Sequence, residues 1–254
     1  PSPEELAAVP HHLISVVDPL EPFSAAEYQR RADAAIEEIS ARGRPVFVVG
    51  GTGLYLRILL HGVVDARGAD PPLRASLEPL AAAEGREAVH RRLAEVDPET
   101  AARLPTQDLV RVIRALEIHA RTGIPASQWR REHGFAPDRY PFLMFVLNPP
   151  REQLYRTINA RTEAMFARGL VEETREFLAR GYADAAPMRS VGYVQARAVV
   201  EGRMTREEAI QDTAQETRRY AKRQLTWFRK EAGAAHVAPP YDVLMRLANQ
   251  SQKA

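Results

Sequence analysis

The sequence predicts an α/β fold in which a parallel sheet is interrupted by a helical insertion and followed by a helical C-terminal region. Three observations carry this reading. Between Ser24 and Leu56 a helical pattern, an apolar run, a glycine turn and a second helix start follow one another, the order of a parallel-sheet unit. From about Asp65 to Tyr140 strand-like runs vanish and alanine-rich, charged helical stretches take over. A second apolar run, Phe142–Leu147, then resumes the sheet pattern.

Each element has a local cause. The chain opens Pro1-Ser2-Pro3 without an initiator Met or a leading strand, and Leu13-Ile14 after His11-His12 reads as strand. The two histidines suggest a metal less than a structural role, because no cysteine is present to join them. Ser24-Ala25-Ala26-Glu27 is a capping box, and Tyr28, Ala32, Ala35, Ile36 and Ile39 give the following helix one apolar face up to Gly43. Val46–Val49 is apolar at consecutive positions, the mark of a strand buried on both faces. Gly50-Gly51-Thr52-Gly53 then turns the chain into a helix at Leu54-Tyr55-Leu56. That arrangement sets backbone N–H groups and the Thr52 hydroxyl at a helix N-terminus, on the edge of the sheet where ligands bind. Such a turn also meets plain steric needs, and no Gly-Lys-Ser/Thr follows, so it is not a Walker loop.

Further on, Leu109, Val110, Val112, Ile113 and Leu116 mark one face of a helix that Gly123 ends. Pro149-Pro150 precede a helix from about Arg151 to Arg168. Thr205-Arg206-Glu207-Glu208 is a second capping box, opening a helix that runs to about Lys230, roughly 37 Å at 1.5 Å per residue. After Gly233 the chain loosens, and Asn249–Ala254 reads as a disordered tail. The division is therefore 1–68 for the first part of the core, 69–140 for the insertion, 141–232 for the second part of the core with its basic helix, and 233–254 for the tail.

Composition excludes several classes. Hydrophobic residues at 45% and charged residues at 27% describe a globular protein rather than a disordered one. No apolar run nears the ~20 residues of a membrane span, and no signal segment opens the chain. With no cysteine there is no disulfide, thiolate metal site or cysteine nucleophile, which fits a cytoplasmic protein. The net charge is only +2, yet of 35 basic residues three are lysine: Lys222, Lys230 and Lys253. Arginine grips phosphate with two parallel bonds and stacks on bases, but a GC-rich genome would give the same bias, so only placement carries information. Placement does so between Arg218 and Lys230. Arg218 with Lys222, and Arg219 with Arg223, lie one helical turn apart, making two adjacent basic ridges suited to a phosphate backbone or a pyrophosphate. An ordinary solvated basic face has the same pattern. Arg189, in Pro187-Met188-Arg189-Ser190-Val191-Gly192-Tyr193, is a further cation beside a small-residue turn.

Five segments in order resemble one family, the bacterial tRNA dimethylallyltransferases (tRNA delta(2)-isopentenylpyrophosphate transferases). They are Pro10-His11-His12-Leu13-Ile14, Gly50–Tyr55, Arg111–Glu117, Met188–Tyr193 and Arg219–Trp227, and the resemblance covers the chain to about Lys230. It implies a P-loop-NTPase-like α/β core whose helical insertion grips the anticodon stem-loop of tRNA. It implies transfer of a dimethylallyl group from dimethylallyl diphosphate to N6 of adenosine 37, with the base flipped out of its stack, Mg2+ assisting departure of pyrophosphate, and a monomeric enzyme. By matching position, Thr52 and Arg189 are the candidates nearest the chemistry, and Arg189, Arg219 and Lys222 the diphosphate contacts. Thr52, Arg74, Val110, Arg111, Val112, Ile113, Arg114, Arg218, Arg219, Lys222, Arg223 and Gln224 are the tRNA contacts.

The sequence departs from that pattern in two places. Ser15 stands where the family more often has aspartate. The family's opening strand, Gly-Pro-Thr-x-x-Gly-Lys-Ser/Thr loop, helix and Asp-Ser-x-Gln-Val-Tyr-Arg segment have no counterpart among these residues. The expectation is that about fifty residues, with the general base and the diphosphate-cradling loop, precede Pro1, and that the 254 residues alone are inactive. Two other functions stay open: an adenylate isopentenyltransferase acting on free nucleotides, and a non-catalytic RNA-binding module.

Overall fold

A computed structural model describes residues 2–62, 68–132, 138–231 and 233–242. In chain order the first helices are α1 (Pro3–Ala8), α2 (Ala25–Ala41) and α3 (Gly53–His61). Next come α4 (Pro71–Glu84), α5 (Arg86–Val96), α6 (Pro98–Arg103), α7 (Leu109–Thr122) and α8 (Ala126–Glu132). Strand β1 (Phe145–Leu147) leads to α9 (Arg151–Ala167), α10 (Leu170–Ala179), two 3-10 turns, α11 (Tyr193–Val200), α12 (Arg206–Phe228) and strand β2 (Ala235–Val237). The chain divides into two compact units. One holds Pro1–Phe23, Arg30–Leu56 and Pro141–Ala254; the other holds Ser24–Gln29 and Arg57–Tyr140. Among the described residues no helix is long and apolar enough to cross a membrane.

The second unit is helical, and aspartates start its helices. Asp70, Asp97 and Asp108 each accept a hydrogen bond from the backbone N–H three residues on, at 3.1, 3.0 and 3.3 Å, and Pro71 and Pro98 occupy first-turn positions where a missing N–H costs nothing. Gly123, at φ +71°, ends α7 in the left-handed conformation glycine adopts without strain. Leu77, Val89, Leu93, Leu104, Val112, Ile113 and Leu116 form the core. Asp97 is buried within this unit, and its second oxygen accepts from Ser127 N at 2.8 Å, joining the start of α6 to α8. Burial raises its pKa, but the bonds from Thr100 and Ser127 outweigh it and the carboxyl titrates below its ordinary value.

In the first unit α11 packs on α10 and α12, and α12 on α9. Phe166, Leu170, Val171, Ala196 and Ala209 make the buried cluster there. The Thr205 capping box forms as the sequence predicts: its hydroxyl accepts from Glu208 N at 3.2 Å while Glu208 Oε2 accepts from Thr205 N at 2.8 Å. In the second unit Ser24 caps α2 in the same sense, accepting from Glu27 N at 3.1 Å.

The α/β class holds, with helices dominating and the sheet reduced among the described residues to one parallel pair. Phe145, Val146 and Leu147 stand opposite Ala235, His236 and Val237. Three details of the sequence reading are corrected. Val46–Val49 is not a buried strand: Phe47 is 64% and Val49 93% exposed, and no described residue pairs with the segment. An apolar run becomes a strand only when neighbours supply its ladder bonds, and local sequence does not name those neighbours. Phe142–Leu147 is strand only over its last three residues, and its partner β2 arises from the stretch predicted to loosen after Gly233. Leu13 and Ser15 have φ of +60° and +52°, so this segment bends instead of extending as a strand. The tail Asn249–Ala254 lies outside the described residues.

Asp97 supplies an acid-sensitive joint. A carboxyl whose folded pKa is depressed contributes stability above its unfolded value of about 4, and that stability is lost as pH falls through the folded value. Asp97→Ala should cost about 2 kcal/mol at neutral pH, with the gap to the unaltered chain narrowing below about pH 4. Urea denaturation at the two pH values measures this, and an equal gap at both would show that Asp97 is not the titrating joint.

Candidate nucleic-acid and diphosphate site

The first unit brings the glycine turn and the basic helix together. Gln224, on α12, donates from Nε2 to the carbonyl of Gly51 at 2.9 Å across 173 residues of sequence. Beside it, Trp227 lies so close to Gly53 that a Cβ there would stand 2.1 Å from its Nε1 and 2.3 Å from its Cδ1. Glycine is thus required at 53 because an indole occupies the space a side chain would need. The turn opens α3: Tyr55 N and Leu56 N donate to the Thr52 carbonyl at 2.9 and 3.2 Å, and the Thr52 residue is exposed.

The predicted cations sit in different states. Arg189 ends the second 3-10 turn, exposed, and among the described residues no hydrogen bond or ion pair engages its guanidinium. Lys222 and Arg223 are exposed on α12, with Arg223 lying 5.6 Å from the centre of the Tyr220 ring. Arg219 pairs with Glu216 within its own helix. Arg218 donates to Asn159 Oδ1 at 2.7 Å and lies 5.8 Å from the centre of the Tyr155 ring, which Arg151 also approaches at 5.1 Å. Gln224 commits its amide to Gly51, so it acts here as a strut under the turn. Tyr193, in the Arg189 segment, donates to Glu173; burial and that carboxylate push its phenol up to about 12, which keeps it neutral and unfit as a base.

The second unit holds the other predicted set. Val110 is 74% exposed and Arg111 is exposed beside Asp108, at 3.3 Å. Val112 and Ile113, predicted among the tRNA contacts, lie buried in the core of this unit, where their side chains hold α7 in place. Arg74 and Arg114 meet on one carboxylate that the sequence reading missed. Glu117 is wholly buried; its Oε1 accepts from Arg74 Nε at 2.6 Å and from Asp70 N at 2.9 Å, and its Oε2 accepts from Arg74 Nη2 at 3.2 Å and Arg114 Nη1 at 3.3 Å. Burial raises the Glu117 pKa, but the two arginines and the Asp70 amide more than reverse this and hold it below the usual carboxylate range. The signal was present in sequence: a carboxylate next to Leu116 and four after Ile113 falls on the apolar face of α7, where it must find partners. The Arg151–Tyr155–Arg218 stack was not readable as a whole, because Arg218 on α12 lies far in sequence from the Arg151–Tyr155 pair on α9.

Among the described residues no group of three or more His, Cys, Asp or Glu side chains converges to hold a metal ion.

A glycine turn at a helix start, closed by a basic helix in a frame with parallel strands, is the arrangement of a phosphate-handling α/β protein. Comparison with known proteins makes the class specific. The chain belongs to the IPP transferase family, whose pattern it matches over residues 1–231. It is 79% identical to a tRNA dimethylallyltransferase of Myxococcus xanthus over 247 residues, which are 97% of this chain and 80% of that protein. It is 52% identical to the tRNA dimethylallyltransferase of Anaeromyxobacter dehalogenans over 95% of this chain and 81% of that one. Its fold is similar to the full-length tRNA isopentenylpyrophosphate transferase of Bacillus halodurans, with TM-score 0.67 and 36% identity, covering 99% of this chain and 80% of that chain. It is also similar to a eukaryotic dimethylallyltransferase acting on tRNA, with TM-score 0.79 and 25% identity, covering 99% and 65% respectively.

The close approach of α12 to the turn predicts the effect of a methyl group. Gly53→Ala should displace the Trp227 ring and cost roughly 1–3 kcal/mol, the scale of overpacking. In a Trp129→Phe background, where Trp227 is the sole indole, its emission should shift to the red. An unshifted spectrum with unchanged stability would mean the ring does not press on Gly53.

Proposed function

We propose that this protein transfers a dimethylallyl group from dimethylallyl diphosphate to N6 of adenosine 37 in tRNA, releasing pyrophosphate. The observation that carries the reading is the closure of the glycine turn by α12, which places the exposed Thr52 and the cations of that helix in one unit. In the reaction N6 attacks the allylic carbon, the carbon–oxygen bond to the diphosphate breaks with its electron pair going to the leaving oxygen, and the N6 proton passes to a base. The developing charge is on the leaving diphosphate, so the chemistry calls for cations there. Arg189 is suited because among the described residues no hydrogen-bond or ion-pair partner engages it, and Lys222 because it is exposed. Arg219 can serve once it exchanges Glu216 for phosphate.

None of the described carboxylates is placed as the base, and the 254 residues contain no Gly-Lys-Ser/Thr loop. The base and the phosphate-cradling loop, with the magnesium that accompanies the diphosphate, are assigned in this reading to sequence outside these residues. The chain by itself then binds RNA without turnover. Arg74, Arg111 and Arg114 supply the second unit's grip on the anticodon stem-loop, and Arg218 and Arg223 that of the first. A monomer in the cytoplasm, where tRNA and the diphosphate meet, completes the reading.

The test is transfer to an anticodon stem-loop RNA from radiolabelled dimethylallyl diphosphate. A reading frame carrying the loop as well as these residues should label the RNA at adenosine 37; the 254 residues alone should bind it and leave it unlabelled. In the active form Arg189→Ala should raise KM for the diphosphate about tenfold while RNA affinity stays within about twofold. AMP labelled in preference to RNA would install the free-nucleotide alternative, and salt-dependent binding without label in either form would install the non-catalytic one.

A further inference from the structure

A carboxylate removed from water is costly unless charged donors surround it, and replacing a buried ion pair and its partners together by apolar residues is often harmless to stability. Glu117 therefore needs a reason to stand on the buried face of α7. Its surroundings supply one. It takes the Nε and Nη2 edge of Arg74 with its two oxygens, leaving Nη1 of that guanidinium outside the pairing, and it takes Arg114 through Nη1. The same Arg114 atom donates to the Gly68 carbonyl at 2.7 Å, and the Asp70 N–H at the start of α4 donates to Glu117 Oε1. The cations are not buried with it: the Arg74 side chain is 39% and that of Arg114 31% exposed. One buried negative charge thus holds two positive charges at the surface of α4 and α7, near Arg111 in sequence.

We propose that Glu117 is a positioning residue for RNA recognition, presenting the Arg74 and Arg114 guanidinium groups in fixed orientation to phosphates of the anticodon stem. The inference rests on the reading that these arginines contact RNA. A long side chain free to sample its rotamers loses that freedom on binding, whereas Arg74, clamped along its Nε–Nη2 edge, has lost it already. The clamp also fixes which edge of Arg74 faces outward, which charge alone does not.

Charge and positioning predict opposite signs for one substitution. Glu117→Gln removes a negative charge beside the cations, so by Coulomb attraction alone RNA would bind more tightly. Positioning requires weaker binding, by about tenfold, the scale of one phosphate-gripping contact. The measurement is fluorescence anisotropy of a labelled anticodon stem-loop with the full chain, the fold of each variant being checked by circular dichroism. Folded Glu117→Gln binding as well as or better than the unaltered chain would overturn the proposal. Should that variant not fold, Arg74→Lys decides: it keeps the charge but loses the two-pronged contact, so an affinity loss of about fivefold or more supports positioning, and unaltered affinity overturns it. Arg111→Ala separates the two levels, since Arg111 is paired with Asp108 and has no bond to Glu117. Weakened binding in Arg111→Ala with none in folded Glu117→Gln sinks the positioning role alone, while unaltered binding in Arg111→Ala removes the RNA face and the inference with it.

Discussion

The site depends on a steric permission at Gly53. α12 can lie against the turn only because the indole of Trp227 takes the volume a side chain would fill, and once it lies there Gln224 reaches the Gly51 carbonyl. Two glycines of the turn therefore have different duties. At Gly51 the near neighbour is the end of a flexible amide, which can swing aside; at Gly53 it is a rigid ring on a helix held by α9 and α11. Thr52, between them, gains a defined place without any bond of its own to α12. The basic ridge and the turn become one surface through this contact, and the ridge follows because the helix is continuous from Arg206 to Phe228.

The second unit reaches definition by another route, the buried carboxylate. Asp97 and Glu117 are both hidden, both accept from backbone N–H groups and both titrate below their ordinary values, yet they differ in what they hold. Asp97 takes only uncharged donors, from Thr100 and Ser127, and joins two helix starts, a structural duty. Glu117 takes two guanidinium groups that reach the surface, so the charge it neutralises inside is repaid as ordered cation outside.

Legibility in sequence followed the range of the interactions. Capping boxes at Ser24 and Thr205 and the glycine stop at 123 are set within four residues, and these helices form where the sequence puts them. The sheet depends on partners far along the chain, and there the reading failed: Val46–Val49 has the right residues and no ladder among the described residues, whereas Ala235–Val237 pairs with β1 from a stretch with little strand character. The candidate site was legible as segments, because motif order survives in one dimension. The roles of individual residues within them were less so. Val112 and Ile113 share a motif with Arg111 and Arg114 but face inward, a consequence of the helical period that motif matching ignores.

Arginine abundance looked ambiguous between genome bias and RNA binding, and the structure adds a third use. Arg31, Arg86, Arg121, Arg139 and Arg197 donate to the carbonyls of Val16, Gln107, Ala69, Leu59 and Ala183, closing loops within their own units at 2.8–3.2 Å. A guanidinium can bridge several acceptors in one plane, as Arg121 does between Gly68 and Ala69, a geometry a lysine ammonium does not offer. The cations then fall into two kinds. Arg189 and Lys222 are held by no side-chain partner among the described residues, so they can follow a ligand whose charge moves. Arg74, Arg114 and Arg218 are braced by a carboxylate, an amide or a ring, which suits a ligand whose phosphates stand at fixed spacing. A leaving diphosphate is of the first kind and an RNA stem of the second. The division of the cations by their bracing thus matches the two substrates of the proposed reaction, which their number alone could not have indicated.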